Sequence, residues 1–332
     1  MQTSMMIIEK GGSTKILVKL SLRCYGISFS HMQYLPTFAV LIKYMSRFTA
    51  IFGLFLGILL TSEVKAQSYF TSLEVGVAIG GSQYFGDLND NYGFKTIGLA
   101  GGIYARKHMN QYISVKLVAN YTKVGYDDKY NTEPFEHQRN LNFQSVVVEG
   151  ALQAEFNFFR FVTGDKEHRF TPFLTGGIGA FYYDPYTYLN GQKYNLRSQG
   201  TEGQNNGYAD RKYTSISPCF PIGVGVKWWL KGGVNLTLEV ADRLTTTDYL
   251  DDVSATYVGA NRFPANSPAA ALQDRSGEQS SGSNGEVGRA GKQRGNTASK
   301  DQYLMALASI SWHFTTYRCP HFMSDDLIKV RR

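Results

Sequence analysis

LNFQSVVVEGALQAEFNFF, residues 141–159, alternates with a period of two: Val146, Val148, Leu152, Ala154, Phe156 and Phe158 fall on one side. Ser145, Glu149, Gln153, Glu155 and Asn157 fall on the other. Period-two alternation marks a strand with one apolar and one polar face. Length then separates the kinds of strand. A soluble sheet is built from strands of about five or six residues, whereas a tilted strand crossing a bilayer needs about 9–11. This run is too long for the first and right for the second.

Working outward, the same pattern recurs seven more times. Leu73, Val75, Val77 and Ile79 alternate with Glu74, Gly76, Ala78 and Gly80. Ile97 to Ala105 alternate with Thr96 to Arg106, and Ile113, Val115, Leu117, Ala119 and Tyr121 face away from Ser114, Lys116, Asn120 and Thr122. Four further runs lie at about 170–183, 217–230, 233–243 and 302–314. The connections between runs alternate in length: 86–95 long, 107–112 short, 127–140 long, 160–169 medium, 184–216 long, 231–232 very short, 244–301 very long. Short turns on one side and long loops on the other are the habit of outer-membrane barrels. The sequence therefore predicts an all-β fold, an eight-stranded antiparallel transmembrane β-barrel with short periplasmic turns and long extracellular loops. The bilayer is its first partner.

Aromatic residues bracket the runs as interfacial girdles do. Tyr112, Phe158, Phe159, Phe170, Trp228, Trp229, Trp312 and Phe314 mark the short-turn end, and Tyr84, Phe85, Tyr126, Tyr182 and Tyr183 the long-loop end. In the stretch IGGSQYFGDLNDNYG (79–93), Gly80 and Gly81 are expected to ease a bend. Tyr84 and Phe85 are expected to meet headgroups, and Asp87 to Asn91 to turn in water.

Three ligand motifs fail. A dinucleotide loop needs G-x-G-x-x-G before a helix, but Gly80 and Gly81 are adjacent and no helix follows. A calcium loop would start well at Asp87, Asn89 and Asn91, but Tyr92 and Gly98 occupy the positions of its glycine and its bidentate Glu. Gly291-Lys292 lacks the first P-loop glycine, since position 286 is Glu286, and Gln293 replaces Ser/Thr. No cofactor, metal or small-molecule substrate is expected.

Lys43, Arg47, the apolar run 51–60 and Val64-Lys65-Ala66 have the three parts of a secretory signal peptide. Cleavage is expected after Ala66, with Met45 as initiator and residues 1–44 an erroneous extension; 67–314 is the barrel and 315–332 a periplasmic tail. The net charge of +7 is mostly leader: residues 1–66 hold seven Lys/Arg and two Asp/Glu, leaving 27 basic against 25 acidic groups. That balance gives a nucleic-acid partner no support. Cys24, Cys219 and Cys319 form no C-x-x-C pair, which removes the redox and zinc-ribbon readings. Residues 266–300, rich in Ser, Gly, Asn and Gln, have the composition of a disordered segment within the 244–301 loop.

Eight strands close too tightly for an aqueous pore. The phase points Glu74, Arg106, Lys116, Glu149, Glu155, Lys227, Glu239 and Arg243 inward, four acids and four bases expected to pair as a plug. Asp127-Asp128, His137, Asp248 and Asp251-Asp252 lie in outer loops, but no nucleophile, base and orienting group can be assembled from them, so catalysis is not expected.

The leader into Gln67-Ser-Tyr-Phe, the segment IGGSQYFGDLND (79–90), Arg294-Gly-Asn…Ser-Lys-Asp301 and Tyr317-Arg-Cys-Pro320 carry a resemblance. Over about 67–320 the chain resembles the PorG-type outer-membrane barrel family of the type IX (Por) secretion system of Bacteroidetes. Its most specific part is Gly81, Ser82, Tyr84, Phe85, Gly86, Asp87 and Asn89. The composition of 244–301 departs from the family pattern. The resemblance implies a non-enzymatic barrel whose periplasmic side docks a ring made by a lipoprotein and its periplasmic partner. The docking candidates are then Lys107, His108, Asp165, Lys166, Lys231 and Arg318. The rival is a general surface barrel, adhesin or envelope-integrity protein, acting through its outer loops.

Overall fold

The computed structural model describes residues 4–9, 14–19, 70–278 and 287–317. The expected signal peptide, its cleavage site and the tail from Arg318 onward lie outside the described residues, as does most of the 1–44 extension; residues 315–317, expected to open the tail, belong to the last strand. Within that extension, 4–9 and 14–19 form a two-stranded antiparallel ladder.

Eight long strands follow: β1 Phe70–Phe85, β2 Gly98–His108, β3 Ile113–Asp127, β4 Asn142–Asn157, β5 Phe170–Leu189, β6 Ile216–Lys231, β7 Val234–Thr245 and β8 Gln302–Tyr317. Each pairs antiparallel with the next, from β1–β2 through β7–β8. Pairing of β8 with β1, Gln302 opposite Phe85 through Tyr317 opposite Phe70, closes the cylinder. Closure leaves no edge strand with unpaired amides, the condition for crossing lipid with strands.

The alternation sorts residues between two solvents. One circumferential row joins Leu117, Leu152 and Ile178, which are directly opposite one another on β3, β4 and β5 and at least half exposed. Ile79, Leu99, Ile103, Ile222 and Val224 continue this apolar exterior. Polar side chains take the alternate positions and are buried inside: Glu74, Lys116, Gln153, Lys227 and Thr237 are all under 4% exposed. A sheet that is greasy outside and polar inside is inverted relative to a soluble protein. It is matched to lipid.

The connections fall into two classes. At one end are the tight turns 109–112 and 232–233 and the longer 158–169. Asn110 Oδ1 accepts the amides of Tyr112 and Ile113, and Gly232 takes φ of +59° while its carbonyl accepts Trp229 Nε1. The other end carries 86–97, 128–141, 190–215 and 246–301. These hold short helices Pro134–Arg139, Leu196–Gln199 and Pro268–Gln273, and a strand Gln192–Asn195 folded back on the end of β5.

Candidate functional site

The lumen is built from charges placed by strand register. Glu74 on β1 lies opposite Arg106 on β2, and Arg106 lies opposite Lys116 on β3. Arg106 forms an ion pair with Glu74 and donates from Nη2 to Glu155 at 3.1 Å. Lys116 reaches Glu155 at 3.2 Å and Glu239 at 2.5 Å, and Lys227 reaches Glu155 at 2.6 Å. Glu155 thus receives three cations. Higher up, Arg243 pairs with Glu149 at 3.1 Å, and Tyr303 and Asn120 also donate to that carboxylate. All eight charges inferred from phase are in the lumen, at most 9% exposed, and each has an opposite partner. Such complete pairing is what offsets the desolvation of buried ions. The void between Tyr104, Lys116, Gln153, Glu239 and Arg243 is about 20 Å³, room for one water at most.

The family-like segment is the seat of a folded cap. Tyr84 points inward, fully buried, and its hydroxyl donates to Asp251 at 2.5 Å and Asp301 at 3.1 Å. Gly86 passes directly over this contact; a Cβ there would lie 2.0 Å from Asp301 Oδ1 and 2.2 Å from Tyr84 Oη. Asn89 braces the turn, donating to the carbonyls of Tyr84 and Gly93 and accepting the Gly93 amide. Asp87 accepts the Asn296 amide, Ser82 meets Thr122 at 2.6 Å, and Phe85 packs on Tyr92 and Phe94. Gly81 faces Ile97, whose methyl would lie 2.9 Å from an added Cβ.

Several expectations are corrected here. Tyr84, Phe85, Tyr126 and Tyr183 are buried rather than interfacial, while Tyr182 is exposed. Leu88 and Asn89 are buried while Asp90 and Asn91 are exposed, so the first loop folds onto the barrel mouth and only its tip turns in water. Gly80 serves close approach more than bending: a Cβ there would sit 1.9 Å from the Ala306 carbonyl oxygen. Of the segment 266–300, expected to be disordered from composition, 279–286 lie outside the described residues, while 266–278 and the stretch around Arg294 contribute buried side chains to the cap. Leu272, Gln273 and Ser276 are buried, and Arg294 donates to Glu202, to the Asp252 carbonyl and to the Gln273 carbonyl.

Arg139 is the second strut, pairing with Asp128 and donating to the carbonyls of Arg294 and Asp87. Tyr213 stacks on Tyr249 with centroids 4.6 Å apart and donates to Asp252. Asp248 accepts from Ser254, and His137 is exposed. The acidic loop residues therefore act as acceptors within the cap. Burial, reinforced by neighbouring carboxylates and opposed by the Asn296 amide, raises the Asp87 carboxyl to about 7. Burial raises Asp248 and Asp252 to about 6, against the lowering effect of Ser254 and Arg294 respectively.

The short-turn end is a basic rim. Lys107, Lys166 and Lys231 are exposed, and Asp165 accepts from His168 at 2.7 Å, which lowers its carboxyl. Arg160 and Arg169, which flank the same turn, join the rim; Arg169 lies over the Trp228 ring at 5.7 Å. His108 does not belong to it. Its ring turns into the lumen mouth, 2.9 Å from Glu74. Exposed Phe158, Phe159, Phe170, Trp228, Trp312 and Phe314 form an aromatic belt above the rim.

A closed eight-stranded cylinder with an apolar exterior, a paired ionic interior and an aromatic belt defines an outer-membrane-type β-barrel. The chain belongs to the family described as Domain of unknown function (DUF6089), which it matches over residues 49–257. None of the curated proteins compared matches it. Among solved structures it is similar to the N-terminal β-barrel domain of Pseudomonas aeruginosa OprF, with 9% identity over 73% of this chain and 97% of that one and a TM-score of 0.31. It is also similar to Neisserial surface protein A, with 11% identity, 74% and 98% coverage and a TM-score of 0.33. The attachment invasion locus protein Ail of Yersinia pestis gives 8% identity, 74% and 98% coverage and a TM-score of 0.34.

Proposed function

We propose that this barrel is a non-enzymatic outer-membrane component of type IX protein secretion that holds the periplasmic lipoprotein ring at the membrane through its short-turn rim. Sec export with removal of the leader after Ala66 belongs to the same proposal. The observation that carries it is the closed lumen: with Glu155 locked between Arg106, Lys116 and Lys227, no cargo passes through the cylinder, so the protein acts by its surfaces. The rim offers Lys107, Arg160, Lys166, Arg169 and Lys231 against Asp165 and Glu167, an excess of positive charge suited to an acidic protein face. The resemblance carried by the Gly81-to-Asn89 segment supports the type IX part of the proposal.

The test places a photo-crosslinking residue at Lys166 or Lys231 in cells and identifies the adducts by mass spectrometry. Capture of the ring lipoprotein, together with retention of sorting-signal cargo when the barrel is deleted, is the expected result. Absence of ring adducts with normal cargo export would overturn it. Loss of surface binding after excision of 246–301 would favour the surface-barrel role instead.

A further inference from the structure

We infer that the short-turn mouth of the barrel binds one divalent transition metal of the Zn2+ class through Glu74, His108 and His313. The inference stands on the barrel geometry and is independent of any secretion role. In the β1–β8 register Glu74 is opposite His313, and in the β1–β2 register Ser72 is opposite His108. Three adjacent strands therefore deliver one carboxylate and two imidazoles to a single spot, their ligating atoms all within 4.8 Å of one another. Among the described residues this is the one such group. His108 Nε2 lies 2.9 Å from Glu74 Oε2, and the two rings face each other at 43° with centroids 5.6 Å apart.

The surroundings are organised as a metal centre's would be. Ligating histidines generally hand their second ring nitrogen to a hydrogen-bond partner, which fixes ring orientation and tautomer. His108 has this arrangement, with Nδ1 2.9 Å from Ser114 Oγ, whereas at His313 Ser72 Oγ lies 3.2 Å from Nε2 and 3.5 Å from Nδ1 and leaves either nitrogen available to the metal. Glu74 is divided in the same way. Its Oε1 is taken by Arg106 and Ser311, while Oε2 faces His108 and accepts from Asn235 at 3.2 Å.

The lumen plug does not explain the histidines. Glu74, Glu155 and Glu239 already balance Arg106, Lys116 and Lys227, so neither imidazole is required as a cation. Two neutral imidazoles and a carboxylate suit Zn2+, with a fourth position left for water. Tetrahedral bonds of that kind separate donors by about 3.4 Å, so small side-chain rotations close the set. The His108 side chain is 12% exposed, which leaves a route for an ion from the mouth. The Arg106 charge on the far carboxylate oxygen tempers affinity without blocking Oε2.

The experiment uses the complete processed chain, without a polyhistidine tag, folded in detergent and titrated with Co2+ as a spectroscopic substitute for Zn2+. One equivalent should bind with visible d–d bands of tetrahedral intensity, bleached by Zn2+. His108→Ala and His313→Ala should each abolish the bands, and Ser114→Ala should weaken binding by about tenfold, as loss of an outer-shell partner does. His137→Ala and His168→Ala should leave it unchanged. Heat-modifiable gel migration confirms folding of each variant. X-ray absorption of the Zn2+-loaded wild type gives a reading that needs no variant, and it should show two imidazoles with Zn–N of about 2.0–2.1 Å. No Co2+ bands in the folded wild type, bands that survive in the His108/His313 double variant, or a zinc shell without imidazole would each overturn the assignment.

Discussion

At the residue scale, Glu155 is the pivot of the lumen. Its oxygens accept from Arg106, Lys116 and Lys227 with no solvent to share the load. Glu155→Gln is expected to destabilise the folded barrel by about 3–5 kcal/mol, the cost of leaving buried charge unmatched, read as a lowered urea midpoint in detergent micelles. An unchanged midpoint would mean the charges are compensated by water. The direction of these side chains was legible in the sequence because strand parity is strict. Parity also had the answer for Tyr84, Tyr126 and Tyr183, each in phase with the inward residues of its strand: Glu74, Lys116 and Thr175. An upper girdle at these positions runs against that parity, and the structure follows parity. Phe85 was beyond parity: it leaves the strand facing outward and is covered by Tyr92 and Phe94 from its own loop.

At the element scale, the strands were readable and the cap was not. Period and length define a membrane strand locally, whereas the cap is held by contacts between residues far apart in sequence, such as Arg294 with Glu202 and Tyr84 with Asp251. Composition of 266–300 carries no trace of those partners, which is why it suggests disorder where the described residues pack. Arg294→Ala removes the cation paired with the buried Glu202 carboxylate, which keeps the Ser254 and Ala255 amides and the Tyr249 hydroxyl. We expect trypsin to cut within 246–301 at least tenfold faster in this variant while the strands stay protected; equal cleavage rates would discount the strut. The cap should also respond to pH. The carboxyls of Asp87, Asp248 and Asp252 titrate above their unfolded value near 3.8. They bind protons more tightly when folded, and their contribution is complete below about pH 4 and is lost as pH rises through about 6 to 7. Amide exchange in 248–255 should therefore accelerate between pH 5 and pH 8 beyond the intrinsic base-catalysed increase. A corrected rate that is flat or falls over that window would contradict the linkage.

At the scale of the whole molecule, the decisive feature is the inverted distribution of polarity: ion pairs within, Leu117, Leu152 and Ile178 without. Replacing one of that row, Leu152→Arg, should cost about 2–4 kcal/mol, as a cation at the bilayer midplane does, whereas a soluble protein would gain solubility from it. Equilibrium unfolding in lipid vesicles measures the difference. The most direct test of the barrel in lipid uses its own aromatic belt. The purified protein is reconstituted into vesicles of phospholipids brominated at successive chain depths, and quenching of tryptophan fluorescence is followed. Trp228 and Trp312 lie on the exterior toward the short-turn end. Strong quenching by bromines near the interface is expected, fading as the bromines move toward the bilayer centre. Emission indifferent to bromine at every depth, from protein that stays folded and monodisperse without detergent, would contradict it.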